Sequence, residues 1–197
     1  MKVIGLCGQS GSGKGLVCSF FSELNVVCID TDKIYHNIIS TNSECTEELV
    51  EHFGQSVFQN PGINRHELRK IVFSSREKLK ILNEITHRHI IAVVKSEIKR
   101  IKKENTADGI IIDAPLLFES GLDKDCDATL AVVADLESKI ARVMRRDSIT
   151  SEQARARISS QITNEKLIEK CNYVIENNSS PEDLRLKIYE LKKIIFV

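Results

Sequence analysis

Short apolar runs alternate along this chain with longer stretches in which apolar residues recur every three or four positions. The runs are Val3 to Cys7, Val26 to Ile29, Gly109 to Ile112, Ala128 to Ala134 and Tyr173 to Glu176. Their shortness and β-branched content predict strands, and their lack of polar alternation predicts burial on both faces. After the first run, Leu16, Val17, Phe20, Phe21 and Leu24 fall at helical spacing. Leu136 to Asp147 reads as an Arg-rich helix. Thr150 to Glu165 reads as an exposed helical segment opened by the capping box Thr150-Ser151-Glu152-Gln153. Pro181 to Ile194 reads as a terminal helix, with Ser180 as its cap and Pro181 in its first turn. Strands and helices in this alternation predict an α/β fold whose parallel sheet is covered by helices on both faces.

One stretch departs from the alternation. From about Lys33 to Glu104 there is little strand signal, while Leu82, Ile85, Ile91, Val94, Ile98 and Ile101 repeat at helical spacing with charges between them. Asn60-Pro61-Gly62 marks a turn. The stretch predicts a helical insertion rather than a second independent domain. Between Arg65 and Glu104 there are 12 basic and 5 acidic residues, a local +7. Such a segment suits either the solvated faces of helices or a surface that meets an anionic ligand.

Composition narrows the function classes. Lys plus Arg and Asp plus Glu each number 28, so the net charge is zero, which argues against a general nucleic-acid binder. With 42% apolar residues in 197, the chain can bury a real core. No apolar run approaches the length of a membrane span, and the first run is too short for a secretion signal. A cytoplasmic location is expected. The six cysteines show neither C-x-x-C nor zinc-finger spacing and are expected to be reduced thiols. His87-Arg88-His89 lacks the i, i+4 spacing of a metal-binding helix.

The chemistry concentrates where strands end, which is where parallel sheets bind ligands. Gly8-Gln9-Ser10-Gly11-Ser12-Gly13-Lys14-Gly15 follows the first strand and precedes a helix. In that context glycines let backbone N–H groups turn inward around phosphate oxygens, the helix adds its positive end, and Lys14 supplies a point charge. The eighth position is Gly15 rather than the usual Ser or Thr, whose hydroxyl serves Mg²⁺. A water can take that place, since Mg²⁺ keeps several. Asp30-Thr31-Asp32 ends the second strand and is expected to stay extended, its carboxylates pointing to opposite sides. One of them suits the proton of an acceptor hydroxyl, and equally a strand-end turn. Asp113, after a buried strand, suits either a metal or a cap. Arg142, Arg145, Arg146, Arg155 and Arg157 suit either transferring phosphates or a charged surface.

Taken together, these residues resemble the dephospho-CoA kinase family, nearly end to end. The resemblance runs through Ile4-Gly5-Leu6-x-Gly8, Gly11-Ser12-Gly13-Lys14, Ile29-Asp30-x-Asp32, Arg65-x-x-Leu68 and Leu82-Asn83-x-Ile85-x-His87. It continues through Asp113-x-Pro115-Leu116-Leu117-Phe118-Glu119, Arg142-x-x-x-Arg146-Asp147, Ala154-x-x-Arg157-Ile158-x-x-Gln161 and Val174-Ile175-x-Asn177-Asn178. It implies a P-loop NTPase-type three-layer fold with a five-stranded parallel sheet in a single domain. The core would be 1–32, 108–145 and 167–197, with a helical acceptor-binding insertion at 33–107 and an Arg-rich lid at 146–166. The implied reaction passes the γ-phosphoryl group of ATP to the 3′-hydroxyl of dephospho-CoA, with Mg²⁺.

The resemblance also implies site roles. Asp32 would be the catalytic base, assisted by Lys14 and Arg142. Gly8, Gly11, Ser12, Gly13, Lys14, Gly15, Leu16, Arg142 and Arg146 would meet ATP. Asp32, Arg65, His87 and Leu116 would meet the acceptor, and Asp113 the metal. The partner would be a small molecule, with neither nucleic acid nor membrane, for a monomer or weak homo-oligomer. The chain departs from the family at Gly15-Leu16, usually Ser-Thr, and at Arg88, usually Pro, where a local turn is expected to change. Two other readings fit the loop: a kinase for another nucleoside or small alcohol, and a nucleotide-binding module that no longer catalyses.

Overall fold

The computed structural model describes residues 1–41 and 43–196. Contacts divide it into two compact units, Met1–Ile29 with Ile101–Val197, and Asp30–Arg100. The second unit thus begins and ends a few residues earlier than the insertion expected from the sequence.

The first unit carries the sheet. Strands β1 (Lys2–Cys7), β2 (Val26–Asp30), β5 (Gly109–Asp113), β6 (Ala128–Val133) and β7 (Tyr173–Glu176) form one five-stranded parallel sheet in the order β2-β5-β1-β6-β7. Every residue of β1 after Lys2 is buried. This is why the run shows no polar alternation: the strand has helices over both of its faces. On one face, Val17 and Phe21 of α1 (Lys14–Glu23) and Leu184 and Ile188 of α10 (Pro181–Ile195) join Ile4, Leu6, Ile111, Leu130 and Val132 in one apolar core. On the other, Leu117 of the short helix α6 (Leu117–Ser120) lies over β1, where a Cβ on Gly5 would come within 2.8 Å of it.

The Arg-rich helix α7 spans Leu136–Asp147, as its apolar spacing predicts. The next segment is not one exposed helix. It breaks into α8 (Ser151–Ser159) and α9 (Asn164–Lys170), because Thr163 caps a second start by accepting from the Lys166 N–H. The capping box at Thr150 and Gln153 forms as expected. Ala154 and Ile158 of α8 are buried with Ile140 and Val143 of α7.

The second unit is mainly helical: α2 (Thr31–Ile39), α3 (Glu44–Phe53), α4 (Arg65–Phe73) and most of α5 (Arg76–Glu104). Its own core gathers Ile39, Leu49, Leu68, Val72 and Ile85. A small antiparallel hairpin, β3 (Phe58–Gln59) with β4 (Gly62–Ile63), interrupts the helices around the expected turn. Two local expectations are corrected here. Asp30-Thr31-Asp32 does not stay extended: Asp30 accepts from the Lys33 N–H at 3.0 Å and starts α2 directly at the strand end. There is no turn at Arg88 either, since it lies inside the 29-residue helix α5, where it pairs with Glu48.

Candidate active site

The carboxyl ends of β1 and β5 bring the site together in the first unit. Their register sets Leu6 opposite Asp113, so the carboxylate stands beside the start of the glycine loop. Gly13 adopts φ 98° and caps α1 with no side chain, which leaves the first N–H groups of the helix facing the loop. A side chain is excluded at that position twice over: by the left-handed backbone, and because a Cβ would strike the Asn177 carboxamide. Lys14 opens α1; its ammonium donates to the Gly8 carbonyl at 3.2 Å and lies 4.0 Å from Asp113 Oδ1. The Cys18 thiol lies 3.9 Å from the other Asp113 oxygen. At Gly15 the reverse of Gly13 holds: the residue is exposed, and a Cβ there would meet no atom within 4 Å.

The arginines divide by position. Arg142 turns toward the loop, donating to the Gly11 carbonyl at 3.2 Å and to the Asn177 carbonyl at 2.9 Å. The planar fork of a guanidinium suits such bridging between two acceptors. Arg146 makes a two-point contact with Asp147, at 2.8 and 2.9 Å, and Arg157 pairs with the same carboxylate. The Arg146 hydrogen bond is the main reason the Asp147 carboxyl falls from 3.8 to about 2, with Arg157 adding to it. Arg155 pairs with Glu137 at 2.7 Å. Leu116, just before α6, is 46% exposed.

The remaining expected site residues belong to the second unit. Asp32 is exposed in the first turn of α2, and its carbonyl lies 2.6 Å from His36 Nδ1. Arg65 is exposed at the start of α4 and lines a shallow cavity with Tyr35, Leu68 and Arg69. Burial holds the Tyr35 hydroxyl above its ordinary pKa, against the pull of Arg65. His87 is half-buried on α5.

Several residues of the site went unassigned in the sequence. Asn177 is buried and donates to the Ser12 carbonyl at 2.7 Å, tying the end of β7 to the loop. Lys139 joins Gln9 and Asn164, and Gln161 separately accepts from the Ser10 N–H. Gln161 and Asn177 stood among the family-like motifs but carried no role. For Lys139 the signal was a lysine on the buried stripe of α7, next to Ile140 and four residues before Val143.

A glycine loop that runs into a helix start with no side-chain cap, a lysine at that start and a carboxylate on the adjoining strand end can hold a polyphosphate and offset charge on its terminal groups. Fold and site together define a P-loop phosphotransferase. Solved structures agree at the level of fold: shikimate kinase from Acinetobacter baumannii has a TM-score of 0.52 at 14% identity, covering 98% of this chain and 94% of that one. TT1252 from Thermus thermophilus reaches a TM-score of 0.81 at 29% identity, with 98% and 97% covered. The dephospho-CoA kinase from Campylobacter jejuni reaches 0.73 at 28% identity, with 98% and 96% covered.

Sequence comparison gives the particular family. The family model for dephospho-CoA kinase matches residues 2–183. The dephospho-CoA kinase of Fusobacterium nucleatum is 42% identical over 189 residues, 95% of either chain, and that of Lactobacillus johnsonii is 35% identical over the same share. The chain belongs to the dephospho-CoA kinase family, and it is a kinase.

Proposed function

We infer that this protein transfers the γ-phosphoryl group of ATP to the 3′-hydroxyl of the ribose of dephospho-CoA, giving CoA and ADP, the final step of coenzyme A biosynthesis. ATP-dependent phosphorylation of dephospho-CoA follows from family membership. The observation that carries the donor side is the Lys14–Asp113 pair at 4.0 Å beneath the glycine loop.

Phosphoryl transfer asks for positioning and charge neutralisation more than for covalent chemistry. The loop N–H groups and Lys14 cradle the phosphates. Arg142, anchored to the loop, holds the loop's shape and keeps a fixed positive charge at its rim. Arg146 reaches ATP from the end of α7, carrying Asp147 as its counter-charge. Asp32 takes the proton of the acceptor hydroxyl. Arg65 and His87 bind the acceptor in the basic second unit, whose charge suits the pyrophosphate of dephospho-CoA, and Leu116 offers it an exposed apolar contact.

The donor set fits magnesium carried on phosphates. Among the described residues no group of three or more His, Cys, Asp or Glu could hold a metal, and Asp113, 4.0 Å from Lys14 at the strand end, is a carboxylate placed to share an ion with bound phosphates. Mg²⁺ is commonly held by one or two carboxylates, substrate phosphates and water. Asp113 would hold it, with Gly15 giving no hydroxyl. The ion would offset negative charge on the phosphate oxygens. The same reading makes the protein a cytoplasmic monomer or weak homo-oligomer with a small-molecule partner; no helix of the described chain is long and apolar enough to cross a membrane.

The test is Asp32→Asn, assayed for CoA formation and for ATP binding. Loss of the base should lower kcat by about 10²-fold or more while ATP binds as before. Full turnover by Asp32→Asn would remove Asp32 from the mechanism.

A further inference from the structure

The first half of the glycine loop is gripped by residues to which the donor-site reading gives no role. Lys139 on α7 is 3% exposed, a burial that lysine reaches when its ammonium is engaged. Its ammonium donates to Gln9 Oε1 and, at 3.3 Å, to Oδ1 of Asn164, the first residue of α9. Gln9 is 5% exposed, and its Nε2 donates to the Ile158 carbonyl of α8 at 3.2 Å. From the other side, Gln161 Oε1 accepts from the Ser10 N–H at 2.8 Å. The loop also lies directly on α7, since a Cβ on Gly11 would strike the Lys139 carbonyl.

The order of these contacts matters. An ammonium can only donate, so the Gln9 oxygen must face Lys139, and the Gln9 NH₂ is left facing the Ile158 carbonyl. Lys139 therefore decides which way the carboxamide points, and the carboxamide decides whether α8 can dock. One amide reaches from the loop into the Arg-rich segment, and another reaches back.

We propose that Lys139 is a positioning residue: by fixing the Gln9 carboxamide it latches α8 onto the glycine loop, so that Arg157 of α8, and through their shared Asp147 also Arg146, are set relative to the loop before ATP arrives. This rests on the reading of the loop as the ATP site. Gln9→Glu separates the latch from simple packing. It keeps an acceptor for Lys139 but turns an oxygen toward the Ile158 carbonyl, so α8 is repelled while the buried ammonium stays paired. Gln161→Leu removes the second contact without touching the first.

The experiment is hydrogen exchange on the nucleotide-free full chain, together with steady-state kinetics, for the wild type, Gln9→Glu, Gln161→Leu and Lys139→Met. Loss of one such hydrogen bond with its buried partner left unmet is expected to speed exchange across residues 151–161 about tenfold. Strands β1 and β5 should stay as protected as in the wild type. The KM for ATP should rise about tenfold, with the KM for dephospho-CoA unchanged. Should Lys139→Met fail to fold, the two glutamine variants carry the test. Unchanged exchange across 151–161 in Gln9→Glu, or a fall in kcat with both KM values unchanged, would overturn the latch. A wild type that binds no ATP would instead sink the donor-site reading, and the exchange data would still decide the latch.

Discussion

Gly15→Ser puts back the hydroxyl that the loop lacks, and the structure sets what it should do. A Cβ at Gly15 meets no atom within 4 Å, and the residue is exposed, so the substitution creates no clash. Gly15 is the second residue of α1. Replacing glycine by serine inside a helix gains about 0.5 kcal/mol from propensity, which is about 1–2 °C in Tm for a chain of this size. The larger effect is on the metal. A fixed hydroxyl in place of one bound water, valued like a hydrogen bond to a charged group at about 1.5 kcal/mol, lowers the half-saturating free Mg²⁺ about tenfold. The assay is the initial rate of CoA formation against free Mg²⁺ at saturating ATP. Gly15→Ala serves as the control: it shares the helix gain and has no hydroxyl, so its Tm should rise with no change in Mg²⁺ dependence. A serine variant that gains Tm like the alanine control, yet keeps the wild-type Mg²⁺ dependence, would refute the reasoning, because the side chain would be accommodated without serving the metal.

Other outcomes follow from the same geometry. Asn177→Ala leaves the buried Ser12 carbonyl with only the 3.5 Å contact from Arg142 and should cost about 1 kcal/mol, read as a fall in Tm and a raised KM for ATP. The Asp147 carboxyl titrates at about 2 instead of 3.8, so its stabilisation of the native state is fully present above pH 3.8 and is lost as pH falls through about 2. Asp147→Asn should therefore flatten the stability profile across that acid range, measured by thermal melts, and leave the neutral range without new pH dependence.

What the sequence made legible, and what it hid, divides along physical lines. β1, β5 and β6 showed because a strand buried on both faces must be apolar throughout, and the edge strands β2 and β7, though less buried, kept enough apolar residues to show with them. α7 showed because its apolar stripe is local, and α10 because its stripe and its Ser180 cap are. The β3–β4 hairpin did not show: its strands are two residues each, too short for any period. The start of α2 was misread because Asp30 both ends a strand and caps a helix, and the strand signal was the stronger of the two. The division of α8 from α9 rests on the Thr163 cap, a local signal obscured by the stronger capping box at Thr150.

The loop could be read from its own residues, since the chemistry of Gly8 to Lys14 is contiguous. Its supports could not. Asn177 meets Ser12 across 165 positions of sequence, and Lys139 meets Gln9 across 130. Only the parallel sheet, which gathers the ends of β1, β6 and β7, brings such pairs together. Arg142 was legible as a phosphate-site arginine by resemblance, yet its grip on the Gly11 and Asn177 carbonyls belongs to the same long-range set.

The central claim is that this loop does not merely hold ATP but spends it on dephospho-CoA. The measurement that tests it most directly is ADP release by the purified protein with ATP and Mg²⁺, with and without dephospho-CoA, followed by identification of the product. The account predicts release that depends on dephospho-CoA, with CoA formed in equal amount. ATP binding with no acceptor-dependent release across a wide range of Mg²⁺ would contradict it.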